Sequence, residues 1–153
     1  MKDLISRKRV TQTHPKARKS FINFITECEN VLNITLRIIS PVYRTIEQQN
    51  KLFAQGRTTP GDIITNAKGG ESFHNYGLAV DLCELSPDGY EVLWNFDMSK
   101  LKPIADKYLI EWGGDWQSVK DRPHFQLSFG YDWRELFSKW TCKEIDADGY
   151  VII

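Results

Sequence analysis

The stretch from Leu78 to Glu84 reads LAVDLCE. Side chains of a strand alternate between its two faces, so Leu78, Val80 and Leu82 form one apolar face and Ala79, Asp81 and Cys83 the other. A second stretch, His124 to Leu127, repeats the pattern: His124 and Gln126 share one face, Phe125 and Leu127 the opposite one. Each pattern calls for an extended segment with a hydrophobic core on one side. If the two are neighbours in an antiparallel sheet, Asp81 and His124 converge on the face away from the core. Ala79 leaves room beside them.

The remaining segments predict a mixed α and β chain. Pro15 suits the first turn of a helix, and Phe21, Phe24, Ile25, Cys28, Val31 and Leu32 follow helical spacing toward a core. NITLRIIS at 33–40 alternates Ile34, Leu36 and Ile38 as a strand does. After Pro41, Thr45 and Gln48 have capping-box spacing and Gly56 can close the helix. This places Arg44 at a strand-to-helix junction, where side chains often reach a cleft. Residues 57–72 read as a long loop rich in turn formers, and a loop of that length in a compact chain is more often functional than incidental. A turn at Pro87-Asp88-Gly89 closes the strand that follows. A helix is expected over 99–108 with Leu101, Ile104, Ala105 and Tyr108 inward. LIEW and HFQLS supply two further strands, Asp132 to Trp140 a short helix, and GYVII a last strand.

With 153 residues, 41% of them hydrophobic, the chain is expected to form one domain spanning 1–153 with its own core. Its formal net charge is zero, which lacks the electrostatic footprint of a general nucleic-acid binder. The three cysteines, Cys28, Cys83 and Cys142, form no CxxC pair, so neither a disulfide framework nor a thiolate zinc cage is indicated. MKDLISRKRV does not read as a signal peptide, and no stretch approaches the length expected of a membrane span. The expectation is synthesis in the cytoplasm, no stable membrane association and a monomer.

The chain has three histidines, two of them in SFHNYGLAVD (72–81) and DRPHFQ (121–126), each with an aspartate nearby. His74, Asp81 and His124 are either ligands of one metal ion or unrelated polar residues. Two neutral imidazoles and one carboxylate suit Zn²⁺ with a position left open for water, the pattern of a catalytic site. Hydrolysis of an amide also needs a proton shuttle, for which Asp121 is the candidate. Regular strand alternation would turn Asp121 away from His124, but Pro123 breaks that regularity. His14 has no partner spacing and reads as a helix-start residue. Cys83 shares a face with Asp81, yet reads better as a buried inert thiol. Trp112 and Trp116, flanking two glycines, suit either a cleft wall or core packing. DADGY at 146–150 lacks the full calcium-loop pattern.

S-x-H-x-x-G-x-A-x-D at 72–81, D-x-P-H-F at 121–125 after WGGDW at 112–116, and YRT-x-x-x-Q-x-x-L-x-x-x-GRT at 43–58 occur together and in order. This combination resembles the D-alanyl-D-alanine carboxypeptidase-like zinc peptidases, and within them the L-alanyl-D-glutamate endopeptidase branch found among phage endolysins and bacterial cell-wall enzymes. The resemblance covers residues 10–140. It implies a small α+β fold whose central antiparallel sheet carries one Zn²⁺, with helices packed around it. It implies His74, Asp81 and His124 as metal ligands, Asp121 as acid/base and Arg44 as the group that steadies the substrate carbonyl. Ser72 and Gln49 fall at positions that look substrate-facing. The implied substrate is the stem peptide of peptidoglycan, cut between L-Ala and D-Glu. A phage context would require a holin-type pore for access to the wall. A D-Ala-D-Ala carboxypeptidase or dipeptidase, and a catalytically silent zinc- or wall-binding module, are the alternatives.

Overall fold

The computed structural model describes residues 1–117 and 119–153. Among the described residues five α-helices, α1 (Leu4–Arg9), α2 (Pro15–Val31), α3 (Ile46–Ala54), α4 (Lys102–Lys107) and α5 (Trp133–Thr141), surround five strands: β1 (Thr35–Ile38), β2 (Ala79–Leu85), β3 (Val92–Leu93), β4 (Glu111–Trp112) and β5 (His124–Gln126). The strands form one antiparallel sheet in the order β1-β2-β5-β4, with β3 pairing the end of β2. The expected α+β architecture with a central antiparallel sheet is the one observed.

Register decides which residues share a face. Leu36 and Ile38 of β1, Val80 and Leu82 of β2, and Phe125 of β5 are fully buried in a common core. Helix α2 supplies Phe21, Phe24, Ile25 and Cys28 to this core, and the Phe24 ring lies 5.2 Å from that of Phe125. Burying this aromatic pair contributes several kcal/mol on the order of 2 to 3 per side chain, enough to hold β5 in place. On the other sheet face, Arg37 stands opposite Cys83 and is bound by Asp3 at the start of α1. The first turns of the chain thus cover one end of that face and leave the Asp81 end open. Cys83 is buried, and burial pushes its thiol up to about 11, so it is inert as expected.

Several local expectations hold with cause. Thr45 and Gln48 form the reciprocal capping box of α3, and Asp132 with Glu135 forms a second one at α5. His14 caps α2, its Nδ1 accepting from Lys16 N while Nε2 donates to Val151 O. Two readings are corrected and one helix is added. Val31 is exposed, because the last turn of α2 directs Glu29 inward instead; its carboxylate accepts the backbone N–H groups of Lys2 and Leu36. GYVII is no strand: its only ladder contact is an isolated bridge between Ile145 and Val151, and the Asp146 side chain closes a turn onto Asp148 and Tyr150. Residues 4–9 form a helix capped by Asp3, which no sequence pattern had indicated. Among the described residues no helix is long and apolar enough to cross a membrane.

Candidate metal centre

Asp81 and His124 stand directly opposite one another in the β2–β5 ladder. His74 arrives from a one-turn helix, Phe73–Tyr76, that Ser72 caps through its hydroxyl. That turn must reverse at once into β2, and Gly77 makes the reversal in the left-handed region at φ 67°. A Cβ there would also lie 2.8 Å from His14 N, so glycine is required on two counts.

The ligand atoms of His74, Asp81 and His124 lie within 4.8 Å of one another. Asp81 Oδ1 is 3.2 Å from His74 Nε2 and 3.2 Å from His124 Nδ1. The outer nitrogen of each ring is engaged: His74 Nδ1 donates to Val42 O at 3.1 Å, and His124 Nε2 to Gln126 Oε1 at 3.0 Å. Gln126 is itself oriented by donating Nε2–H to Glu111. With both outer positions spent as donors, neutral rings turn a lone pair inward, toward the carboxylate oxygen. Three acceptors facing one point repel unless a cation lies between them or a proton is shared. The donor set therefore fits a metal ion, and the hydrogen bonds behind it match the usual support of metal-binding histidines. A His₂-carboxylate set fits zinc.

The titration directions agree with this geometry. Burial works to raise the Asp81 carboxyl, but His74 and His124 overcome it and hold the carboxyl well below the usual range. Burial keeps His74 below its ordinary value. At His124 burial pulls the same way, yet the bond to Asp81 and its charge win and raise the ring. Protons and a metal ion compete for the same ligand atoms, so metal binding weakens in acid.

The cluster opens into a cleft of about 830 Å³. Arg44, Ser72, Trp116 and Asp121 line it together with the three ligand candidates. Asp121 lies in a turn before β5 rather than on the strand. Its N–H donates to Gly113 O and its own carbonyl accepts from His124 N, so the alternation that would have turned it away does not apply. Its carboxyl is raised above the ordinary range. Partial loss of water is the main cause, His124 opposes it, and the Asp81 charge adds to the rise. Arg44 donates from Nη2 to Asp81 Oδ2 at 3.0 Å, and Ser40 donates to the same oxygen at 2.7 Å. Trp116 packs over the His124 ring, centroids 5.1 Å apart.

Two expected cleft residues lie elsewhere. Trp112 is not among the lining residues; its ring stacks on Phe125 and its N–H donates to Arg122 O. Gln49 is fully buried and binds Arg44 and the backbone of Ala67 instead of facing the cleft. Four residues not singled out for the site take part in it: Ser40, Asn75, Glu111 and Gln126. Asn75 donates to Arg44 O and accepts from Gly70 N. Only Gln126 had a sequence signal, its shared strand face with His124.

Residues 65–127 match the family model described as D-alanyl-D-alanine carboxypeptidase, a stretch that contains all three ligand candidates and Asp121. The resemblance read from the motifs is thereby borne out. The peptidoglycan L-alanyl-D-glutamate endopeptidase CwlK of Bacillus subtilis (strain 168) is 39% identical over 100 residues, which cover 59% of this chain and 59% of that protein. The chain thus spans under two thirds of the curated relative's length. In structure the chain is similar to the Serratia marcescens L-Ala D-Glu endopeptidase ChiX, with a TM-score of 0.58 and 24% identity over 82% of this chain and 88% of that one. That likeness shows the fold.

Proposed function

We propose that the protein is a zinc-dependent peptidoglycan endopeptidase that hydrolyses the L-Ala–D-Glu bond of the stem peptide. The observation that carries this reading is the convergence of two inward imidazole nitrogens on one oxygen of Asp81, each at 3.2 Å, in a cleft that Asp121 and Arg44 also line. The likeness to CwlK, an L-alanyl-D-glutamate endopeptidase, supports the choice of bond. His74, Asp81 and His124 would hold the ion. When bound, zinc supplies a water with a pKa near 7 and polarises the scissile carbonyl.

The chain's own residues do the rest. Asp121 takes the proton of the attacking water and returns it to the leaving amine, a two-way role suited to a carboxyl whose pKa lies above the ordinary range. Arg44, held by Asp81 and Gln49, offers fixed positive charge to the oxygen on which negative charge develops. Trp116 and Ser72 border the substrate path. The 153 residues act as one catalytic unit and as a monomer. The biological setting that fits is a phage or prophage endolysin, made in the cytoplasm and passed to the wall through a holin-type pore.

Digestion of purified sacculi, followed by mass spectrometry of the fragments, tests the reading. New N-terminal D-Glu should appear with zinc-loaded protein and vanish with Asp121→Ala, whose metal content should remain one ion per chain. Release of D-Ala alone would favour a carboxypeptidase, the activity in the family model's description. No release of any kind would favour a silent binding module.

A further inference from the structure

We infer that Gln49 is a positioning residue that locks the cleft wall and Arg44 into one unit. This deepens the hydrolase reading, on which only its kinetic test rests. Gln49 has no exposed surface, so both ends of its amide need partners within the protein. Its Oε1 accepts from Arg44 Nη1 at 3.2 Å. Its Nε2 donates to Ala67 O at 2.9 Å and to Thr65 Oγ1 at 3.4 Å. Thr65 and Ala67 line the cleft, and Arg44 is bound to the ligand candidate Asp81. A continuous path therefore runs from the loop through one buried amide to the metal centre.

The path is reinforced from the same helix. Asn50, the next residue of α3, accepts from Gly69 N through Oδ1. Arg57 donates to Phe53 O, Thr65 O and Asn66 Oδ1, clipping the outside of the loop. Gly69 sits so close that a Cβ would lie 2.6 Å from Ile46 O. The 65–70 portion of the long loop is thus stapled to α3, while Ile63 and Ile64 before it are exposed at the cleft. An amide is needed at position 49 because one end must accept from a guanidinium and the other donate to a carbonyl. A glutamate can do only the first, a methionine neither.

Hydrogen exchange read by mass spectrometry, together with kinetics on a soluble stem peptide, tests this. In Gln49→Met, exchange over 63–67 should speed up while the β2 and β5 amides keep wild-type rates. Its kcat should fall about ten- to a hundredfold with metal content unchanged, the usual range for a supporting residue behind a metal centre. Gln49→Glu, which retains the Arg44 partner, should show the same loop exchange but a smaller loss of kcat and a higher KM. Arg57→Ala should loosen the loop without lowering kcat. Wild-type exchange over 63–67 in both Gln49 variants would overturn the inference, as would acceleration spread evenly over the whole chain, which marks simple core packing. If Gln49→Met fails to fold, Gln49→Glu decides. Absence of hydrolysis by the wild-type protein would defeat the hydrolase reading, while the exchange comparison still judges the latch.

Discussion

Asp3 sits where the first helix meets the edge strand. Its carboxylate accepts from Ser6 N, Ser6 Oγ and Arg37. Burial works to raise its pKa, but the bonds from Arg37 and Ser6 prevail and lower it from 3.8 to about 2. A carboxyl whose pKa is depressed on folding stabilises the protein above its unfolded value. That contribution is lost as pH falls from 3.8 toward about 2. The shift corresponds to about 2 kcal/mol at neutral pH. Asp3→Asn should cost about that much in urea unfolding at pH 7 and flatten the acid limb of stability between pH ~4 and ~2. An acid limb as steep as that of the wild type would refute the assignment. Other single residues are legible in the same terms. The capping pair Thr45 and Gln48 and the cap at His14 could be read locally because each bonds within three residues of itself. Asp3 could not, since Arg37 lies 34 positions away.

Among the elements, the turn ahead of β5 decides the chemistry. Gly113 accepts the Asp121 N–H, and a Cβ at 113 would lie 2.5 Å from Asp121 O and 3.1 Å from His124 Cβ. Gly113→Ala must therefore displace Asp121, His124 or both. Gly114→Ala runs first into the Trp112 ring, at 2.2 Å, and Trp112 does not line the cleft. Both should destabilise by about 1–3 kcal/mol through overpacking. Gly113→Ala should lose at least about tenfold more kcat/KM than Gly114→Ala, since small misplacements of catalytic groups are costly. Melting temperatures measured beside the kinetics separate the two effects; equal activity losses would mean that this turn does not set Asp121. The alternating strands β2 and β5 were readable because one face of each carries buried apolar residues, Val80 and Leu82 in β2 and Phe125 in β5. The isolated bridge at Val151 was misread as a strand because a short apolar run at a chain end carries the same signal.

For the whole molecule, three donors drawn from two strands and a one-turn helix make metal binding a global property. Any ion that binds the folded cluster and not the unfolded chain stabilises by mass action, about 4 kcal/mol at a thousandfold excess over Kd. Zinc should accordingly raise the melting temperature, a chelator should reverse the rise, and His74→Ala should abolish it. A zinc-induced shift that persists in His74→Ala would place the ion elsewhere. The central strands and the helices between them, the polar face shared by Asp81 and His124, and the residue types of a candidate metal centre were determined by the linear pattern, because they depend on periodicity and side-chain chemistry. The tertiary structure alone decided that Asp121 turns into the cleft, that Trp112 turns out of it, and that Gln49 is buried as a brace instead of exposed to substrate. Those outcomes depend on which backbone groups distant segments bring within hydrogen-bonding reach, and no local spacing encodes that.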